Sequence, residues 1–175
     1  MEEKKLIEEK DAGDKNYLLL PTNELLDAYG QGNHIPGSGS AAALSGLIAI
    51  GLIKTVATIS IGKEQYKNYK VQFEFIISEL DNTFKSKYTN LFNDDINIFH
   101  KVSYHRYLRN SSEDGSLEKE KNAKLALDYL RKGTDIPLEI CKTSLQLMDY
   151  AFSLFDDGCK SVRGDSGVAI SNLLS

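Results

Sequence analysis

A long apolar run from Ala41 to Ile61 constrains the fold of this chain more than any other feature. It is apolar nearly all round a helix and is interrupted by one cation, Lys54. A helix of this kind is either buried in a protein or inserted in a membrane. Crossing a bilayer needs about 20 predominantly apolar residues, and this run is diluted by Lys54 and by several Ser and Thr. We therefore expect a buried central helix and treat a membrane span as the weaker alternative.

The rest of the chain repeats apolar residues three and four positions apart, which is typical of helices. We expect helices over 23–29, 41–61, 64–108, 116–131 and 136–155, and a short one from Asp165 onward. The predicted fold is all-α, an elongated antiparallel helix bundle. A length of 175 residues fits one domain, so we expect a flexible segment over 1–20 and a single helical domain over 21–175. The 41–61 run and the stripe from Tyr66 to Ile98 together present more apolar surface than one small bundle can bury. This favours a homodimer.

Composition excludes several classes of protein. The chain has 21 Lys and Arg against 25 Asp and Glu, a net charge of -4, and it has no basic run that would bind nucleic acid. Two cysteines cannot form a disulfide-rich scaffold, and the histidines are too scattered to suggest a metal site. The charged N-terminus lacks the apolar stretch of a secretory signal, so we expect a cytoplasmic protein with no membrane partner.

Three segments could carry chemistry. The first is the glycine-rich loop Pro36–Ser40, in which Gly37, Ser38, Gly39 and Ser40 precede the apolar helix. Free N–H groups at a helix start attract negative charge or a carbonyl oxygen, and glycine lets the backbone approach a ligand closely. The structural alternative is a tight turn in which Ser40 is the N-cap. The loop has neither the lysine of a P-loop nor the preceding strand of a dinucleotide site.

The other two segments lie further along the chain. Asp95 falls near the edge of the apolar stripe, where a carboxylate is either solvated or lines a cleft with a raised pKa. The loop Gly158–Asp165 carries Lys160 and Arg163, which could hold a ligand carboxylate or could be solvated cations. Asp165 is also a good residue for a helix N-cap. No base lies near Cys159 in the sequence, so a thiol nucleophile is not predicted there.

Five blocks of sequence resemble the cyclodeaminase/cyclohydrolase family. This family includes the C-terminal domain of formiminotransferase-cyclodeaminase and bacterial methenyltetrahydrofolate cyclohydrolases. The blocks are P-G-S-G-S-A-A-A-L-S-G from Pro36, I-S-I-G-K-E-Q-Y from Ile59, D-I-N-I-F from Asp95, I-P-L-E-I from Ile136 and G-C-K-S-V-R-G-D-S-G-V-A from Gly158. They occur in the family's order and span most of the chain from Pro36 onward.

The resemblance implies a helical, dimeric enzyme of folate one-carbon metabolism. The expected reaction is hydrolysis of methenyltetrahydrofolate to formyltetrahydrofolate, or deamination of formiminotetrahydrofolate. Asp95 matches the family's active-site aspartate, and Asp165 lies in its last block, so both are predicted to be catalytic. Gly37, Ser38, Gly39 and Ser40 are predicted to bind the folate, with Lys160 and Arg163 available for its glutamate carboxylates. No metal and no cofactor other than the tetrahydrofolate substrate is expected.

Departures from the family pattern keep an alternative open. Ser38 replaces a glycine, Cys159 replaces an asparagine and Gly164 replaces a serine, while Ile96 and Ile98 stand where small residues are common. These changes could crowd a ligand. The alternative is a non-catalytic homodimeric relative that binds a ligand or a partner.

Overall fold

The structure, a computed structural model, describes residues 16–174. It confirms the predicted all-α class, and no β-strand occurs in that range. A 3₁₀ turn, Tyr17–Leu19, buries Tyr17, and positions 1–15 of the predicted flexible segment lie outside the described residues. The α-helices are α1 (Thr22–Gly30), α2 (Ser38–Ile61), α3 (Lys70–Glu79), α4 (Lys85–Ser111), α5 (Leu117–Gly133), α6 (Asp135–Asp157) and α7 (Arg163–Leu174).

Local sequence signals explain most of the helix boundaries. Ser116 caps α5, because its hydroxyl accepts a hydrogen bond from the Lys119 N–H at 3.2 Å. Pro137 falls in the first turn of α6, where its missing N–H costs no hydrogen bond. Helix α7 begins two residues before Asp165, so this aspartate lies inside the first turn and is not the N-cap.

The predicted helix over 64–108 is one helical stretch with three geometries. It starts as a 3₁₀ helix (Glu64–Tyr69), continues as α3, passes through a π turn (Leu80–Phe84) and ends as α4. The predicted apolar stripe is largely buried, with Phe73, Ile76, Leu80, Phe84 and Leu91 all in the core. A π turn adds one residue to a helical turn, so it shifts the residues after Leu80 around the axis relative to a regular helix.

The chain divides into two compact units. One contains the described residues up to Ser40 together with Asn93–Pro137, and the other contains Ala41–Phe92 and the described residues from Leu138 onward. In the first unit, His105 bonds Asn122 at 2.9 Å and stacks on Tyr129. In the second, the hydroxyls of the buried Tyr88 and Ser144 are 2.7 Å apart. The single domain predicted over 21–175 stays a prediction.

The prediction that the helix over 41–61 is buried all round needs correction, and helix α6 also exposes an apolar face. Helix α2 is long and apolar enough to cross a membrane by length and composition. It is not buried on every side, because Ala49, Ile53 and Val56 are inaccessible whereas Ile48 is half exposed. In α6 the face carrying Leu138, Cys141, Leu145 and Phe152 is exposed. The buried face of this helix consists of Ile140, Thr143, Ser144, Leu147, Ala151 and Leu154.

Candidate active site

The start of α2 holds a buried carboxylate. Asp95 on α4 is only 2% exposed, and its Oδ2 accepts a hydrogen bond from the backbone N–H of Ser40 at 2.8 Å. Ser40 is the third residue of α2, so its N–H is one of those that an α-helix leaves without an internal partner. The second oxygen, Oδ1, has no hydrogen-bond partner among the described atoms. One oxygen of Asp95 therefore anchors the side chain while the other is unused.

The glycine-rich loop is shaped to admit this carboxylate. A Cβ atom on Gly39 would lie 2.1 Å from Oδ1 of Asp95 and 2.6 Å from its Cγ. Residue 39 must consequently be glycine for Asp95 to occupy its position. The Ser40 hydroxyl turns back to Gly37, accepting from its N–H at 3.0 Å and donating to its carbonyl at 2.9 Å. This reciprocal bonding starts the helix at Ser38, three residues before the predicted start, and Ser40 is therefore not the N-cap.

The surroundings of Asp95 increase its affinity for a proton. Burial raises the pKa of the Asp95 carboxyl above its ordinary value, and the hydrogen bonds from Ser40 offset part of that rise. The hydroxyl of Tyr29 is buried beside Ser40 and Asp95, and burial raises the pKa of this phenol. A carboxyl whose pKa is raised and whose second oxygen has no hydrogen-bond partner is a candidate for proton exchange with a bound molecule.

The structure thus brings together Gly37, Gly39, Ser40 and Asp95, all in the first unit. Ser38 is exposed at the start of α2. The remaining predicted residues, Lys160, Arg163 and Asp165, belong to the second unit.

Within the second unit, the two predicted cations differ. Lys160 is exposed, and its backbone N–H donates to the Tyr66 hydroxyl at 3.2 Å. Arg163 packs over the Phe155 ring at 4.0 Å and lies 3.5 Å from a carboxylate oxygen of Asp156. Both side chains reach solvent, so both remain accessible to a ligand carboxylate.

Sequence reasoning missed Tyr29 as a member of the Asp95 cluster. Tyr29 precedes the glycine-rich loop by only a few residues, but nothing in helix α1 distinguishes a tyrosine that turns inward from one at the surface. No group of three or more His, Cys, Asp or Glu side chains that could hold a metal ion occurs within residues 16–174.

Fold and site together define an all-α protein with a buried carboxylate at the start of an apolar helix. Residues 21–175 match the family model described as formiminotransferase-cyclodeaminase, and the chain belongs to this family.

Two known proteins are similar to the chain. A methenyltetrahydrofolate cyclohydrolase of Methylorubrum extorquens is 27% identical over 145 residues, which cover 83% of this chain and 68% of that protein. The crystal structure of a formiminotetrahydrofolate cyclodeaminase from Thermotoga maritima superposes with a TM-score of 0.66 at 20% identity, covering 91% of this chain and 79% of that one. The second similarity establishes the fold.

Proposed function

We propose that this protein hydrolyses methenyltetrahydrofolate to formyltetrahydrofolate. The observation that carries the proposal is the buried Asp95, with one oxygen anchored by Ser40 and the other free. Membership of the family and the similarity to a protein named methenyltetrahydrofolate cyclohydrolase support the choice of substrate.

Asp95 acts as the general acid and base. The methenyl group bridges two nitrogens as a cationic amidinium, so its carbon accepts water without a metal ion or another cofactor. Asp95 takes a proton from the attacking water while the new C–O bond forms. It then returns the proton to the ring nitrogen as the C–N bond breaks, and the hydroxyl oxygen releases its remaining proton to solvent as the formyl C=O bond forms. The raised pKa of Asp95 makes its carboxylate a stronger base toward the attacking water than an ordinary aspartate.

The other predicted residues bind and orient the folate. The turn from Gly37 to Ser40, in which Ser38 is exposed, binds the folate through its backbone, and the buried free oxygen of Asp95 lies directly behind Gly39. Lys160 and Arg163 bind the glutamate carboxylates, for which arginine offers a bidentate geometry. Asp165, in the first turn of α7, orients the bound substrate.

The decisive measurement follows methenyltetrahydrofolate by its absorbance. Purified protein should consume this compound at a rate proportional to enzyme concentration. Asp95→Asn should lower turnover by about a hundredfold or more, the scale of a lost general acid or base. Asp94→Asn is the matched control, because this neighbouring aspartate is exposed. Equal turnover of the parent and Asp95→Asn would exclude the mechanism.

The same assay distinguishes the alternatives. The structural relative is a formiminotetrahydrofolate cyclodeaminase, and a protein of that activity would form methenyltetrahydrofolate and release ammonia from the formimino compound. A protein that converts neither compound yet binds a folate would be a non-catalytic relative.

We further propose that the protein acts as a cytoplasmic homodimer. Leu138, Leu145 and Phe152 are spaced by seven along α6 and are exposed by 53%, 64% and 47%. Such a row suits packing against another helix. Light scattering should give twice the mass of the 19.5 kDa chain, and Leu145→Glu should give the monomer. A monomeric parent at micromolar concentration would refute the dimer.

A further inference from the structure

Cys159 lies in a cluster that the folate chemistry does not use. It is 1% exposed, and its Sγ accepts a hydrogen bond from the Nζ of Lys63 at 2.9 Å. The Ser161 hydroxyl lies 3.1 Å from the same sulfur. An ammonium group has no lone pair and can only donate, so the sulfur is held as an acceptor. This arrangement fits a thiolate better than a thiol.

The backbone fixes the cluster in place. The Cys159 N–H donates to the hydroxyl of the buried Ser60 at 2.8 Å. The following residue, Lys160, is tied through its own N–H to Tyr66. Hydrogen bonds on both sides of the sulfur therefore join the segment 60–66 to the loop after α6, and they hold the backbone of the exposed Lys63 close to Cys159.

The two side chains that contact the sulfur both lower the pKa of its thiol. The hydrogen bond from Lys63 lowers the pKa of the Cys159 thiol to about 7, and Ser161 adds to this effect. The hydrogen bond to Cys159 in turn raises the pKa of Lys63. Burial of the sulfur opposes this lowering of the thiol pKa in part, and Tyr66 further raises the pKa of Lys63.

We propose that Cys159, paired with Lys63, is a site of oxidation by small hydroperoxides such as hydrogen peroxide. The sulfur attacks one peroxide oxygen, an S–O bond forms and the O–O bond breaks. The departing hydroxide takes a proton from Lys63 and leaves as water. Sulfur loses two electrons and peroxide gains them, so the products are a sulfenic acid, a neutral amine and water. Exposure of only 1% disfavours bulky reagents.

Rate measurements on variants with a single cysteine test this proposal. A Cys141→Ser protein, which keeps only Cys159, is exposed to hydrogen peroxide between pH 6 and pH 9. The reaction is quenched, the protein is unfolded, and the remaining thiol is alkylated and quantified by mass spectrometry. Lys63→Met is added to this background, and Lys67→Met is the matched control, since Lys67 pairs with Glu64.

The expected differences follow from the thiolate fraction. A cysteine without Lys63 should have a pKa of about 8.5 or above, and the thiolate fraction at pH 7 then falls about sixteenfold. A thiolate of lower pKa is also a weaker nucleophile. The Cys141→Ser protein should therefore be oxidised about threefold faster than the Lys63→Met variant at pH 7, and about sixfold faster at pH 6. The Cys141→Ser protein should level off in rate above about pH 7 to 8, whereas the Lys63→Met rate should still be rising there.

The product and a conservative variant complete the test. The Cys159 peptide should gain about 16 Da, the mass of one oxygen atom. Lys63→Arg keeps a cation at the sulfur, so its oxidation rate should level off at the same pH as that of the Cys141→Ser protein. This variant keeps the test possible if Lys63→Met does not fold. The proposal is wrong if the Lys63 variants and the Cys141→Ser protein share one pH profile, if Lys67→Met slows oxidation equally, or if Cys159 reacts only after unfolding.

Discussion

Replacement of Gly39 by alanine tests the geometry of the candidate site most directly. The new Cβ atom would lie 2.1 Å from Oδ1 and 2.6 Å from Cγ of Asp95. Asp95 is buried, so its side chain cannot swing into solvent without breaking the 2.8 Å hydrogen bond to Ser40. The substitution must therefore move the carboxylate, the helix start, or both.

The expected loss of stability follows from three contributions. A hydrogen bond to a charged group contributes about 1.5–3 kcal/mol, and overpacking a filled site costs about 1–3 kcal/mol. Alanine gains about 0.5–1 kcal/mol over glycine in a helix. We expect Gly39→Ala to lower the free energy of unfolding by about 2–4 kcal/mol, or about 4–16 °C in melting temperature for a chain of this size. Turnover should fall as well, because Asp95 is displaced.

Urea unfolding of a double-mutant cycle gives the measurement. Gly51→Ala is the matched control, because it lies in the same helix with open space around its Cβ position. This control should be unchanged or slightly stabilised. In an Asp95→Ala background the new methyl group meets no carboxylate, so Gly39→Ala should cost about 2 kcal/mol less than in the parent. If the cost is the same in both backgrounds, or if Gly39→Ala is as stable as the parent, the close approach of Gly39 and Asp95 is wrong.

Three further predictions concern the rest of the structure. Burial raises the pKa of Asp95 in the folded state, so the folded state binds more protons than the unfolded chain. The free energy of unfolding of the parent, relative to that of Asp95→Asn, should therefore fall as pH rises through the raised pKa. Urea unfolding from pH 4 to pH 8 measures this difference, and a slope of the opposite sign would contradict the prediction. Arg163→Ala should weaken folate binding and make it less sensitive to salt in titrations at two salt concentrations, and unchanged affinity would remove Arg163 from the site. Gly46→Ala should lower the free energy of unfolding by about 2 kcal/mol or more, because the new Cβ atom would lie 2.1 Å from the buried Tyr88 ring. An unchanged melting temperature would refute that packing.

The sequence by itself determines the secondary structure and the type of fold. Helical periodicity is a local property, and so are the signals that end helices, such as the Ser116 cap and Pro137 in a first turn. The errors at the helix ends have local causes as well. Ser40 bonds back to Gly37, which starts α2 earlier than a capping role for Ser40 would.

The sequence also indicated the elements of the candidate site but not their arrangement. The glycine-rich loop and Asp95 were identified separately. The hydrogen bond that joins them links residues 55 positions apart, and no local rule specifies such a pair. The catalytic roles of Asp95 and Asp165 remain predictions for the assays above.

Only the tertiary structure decided which apolar face of α6 is buried. The row containing Leu138 and Leu145 and the row containing Leu147 and Leu154 both have helical spacing, yet the first is exposed and the second is in the core. Only the tertiary structure shows which side chains surround Cys159. Its partner Lys63 lies 96 positions away, so the sequence near Cys159 did not reveal the cation beside the sulfur. Periodicity describes one helix at a time, whereas burial and pKa depend on which helices and loops pack together.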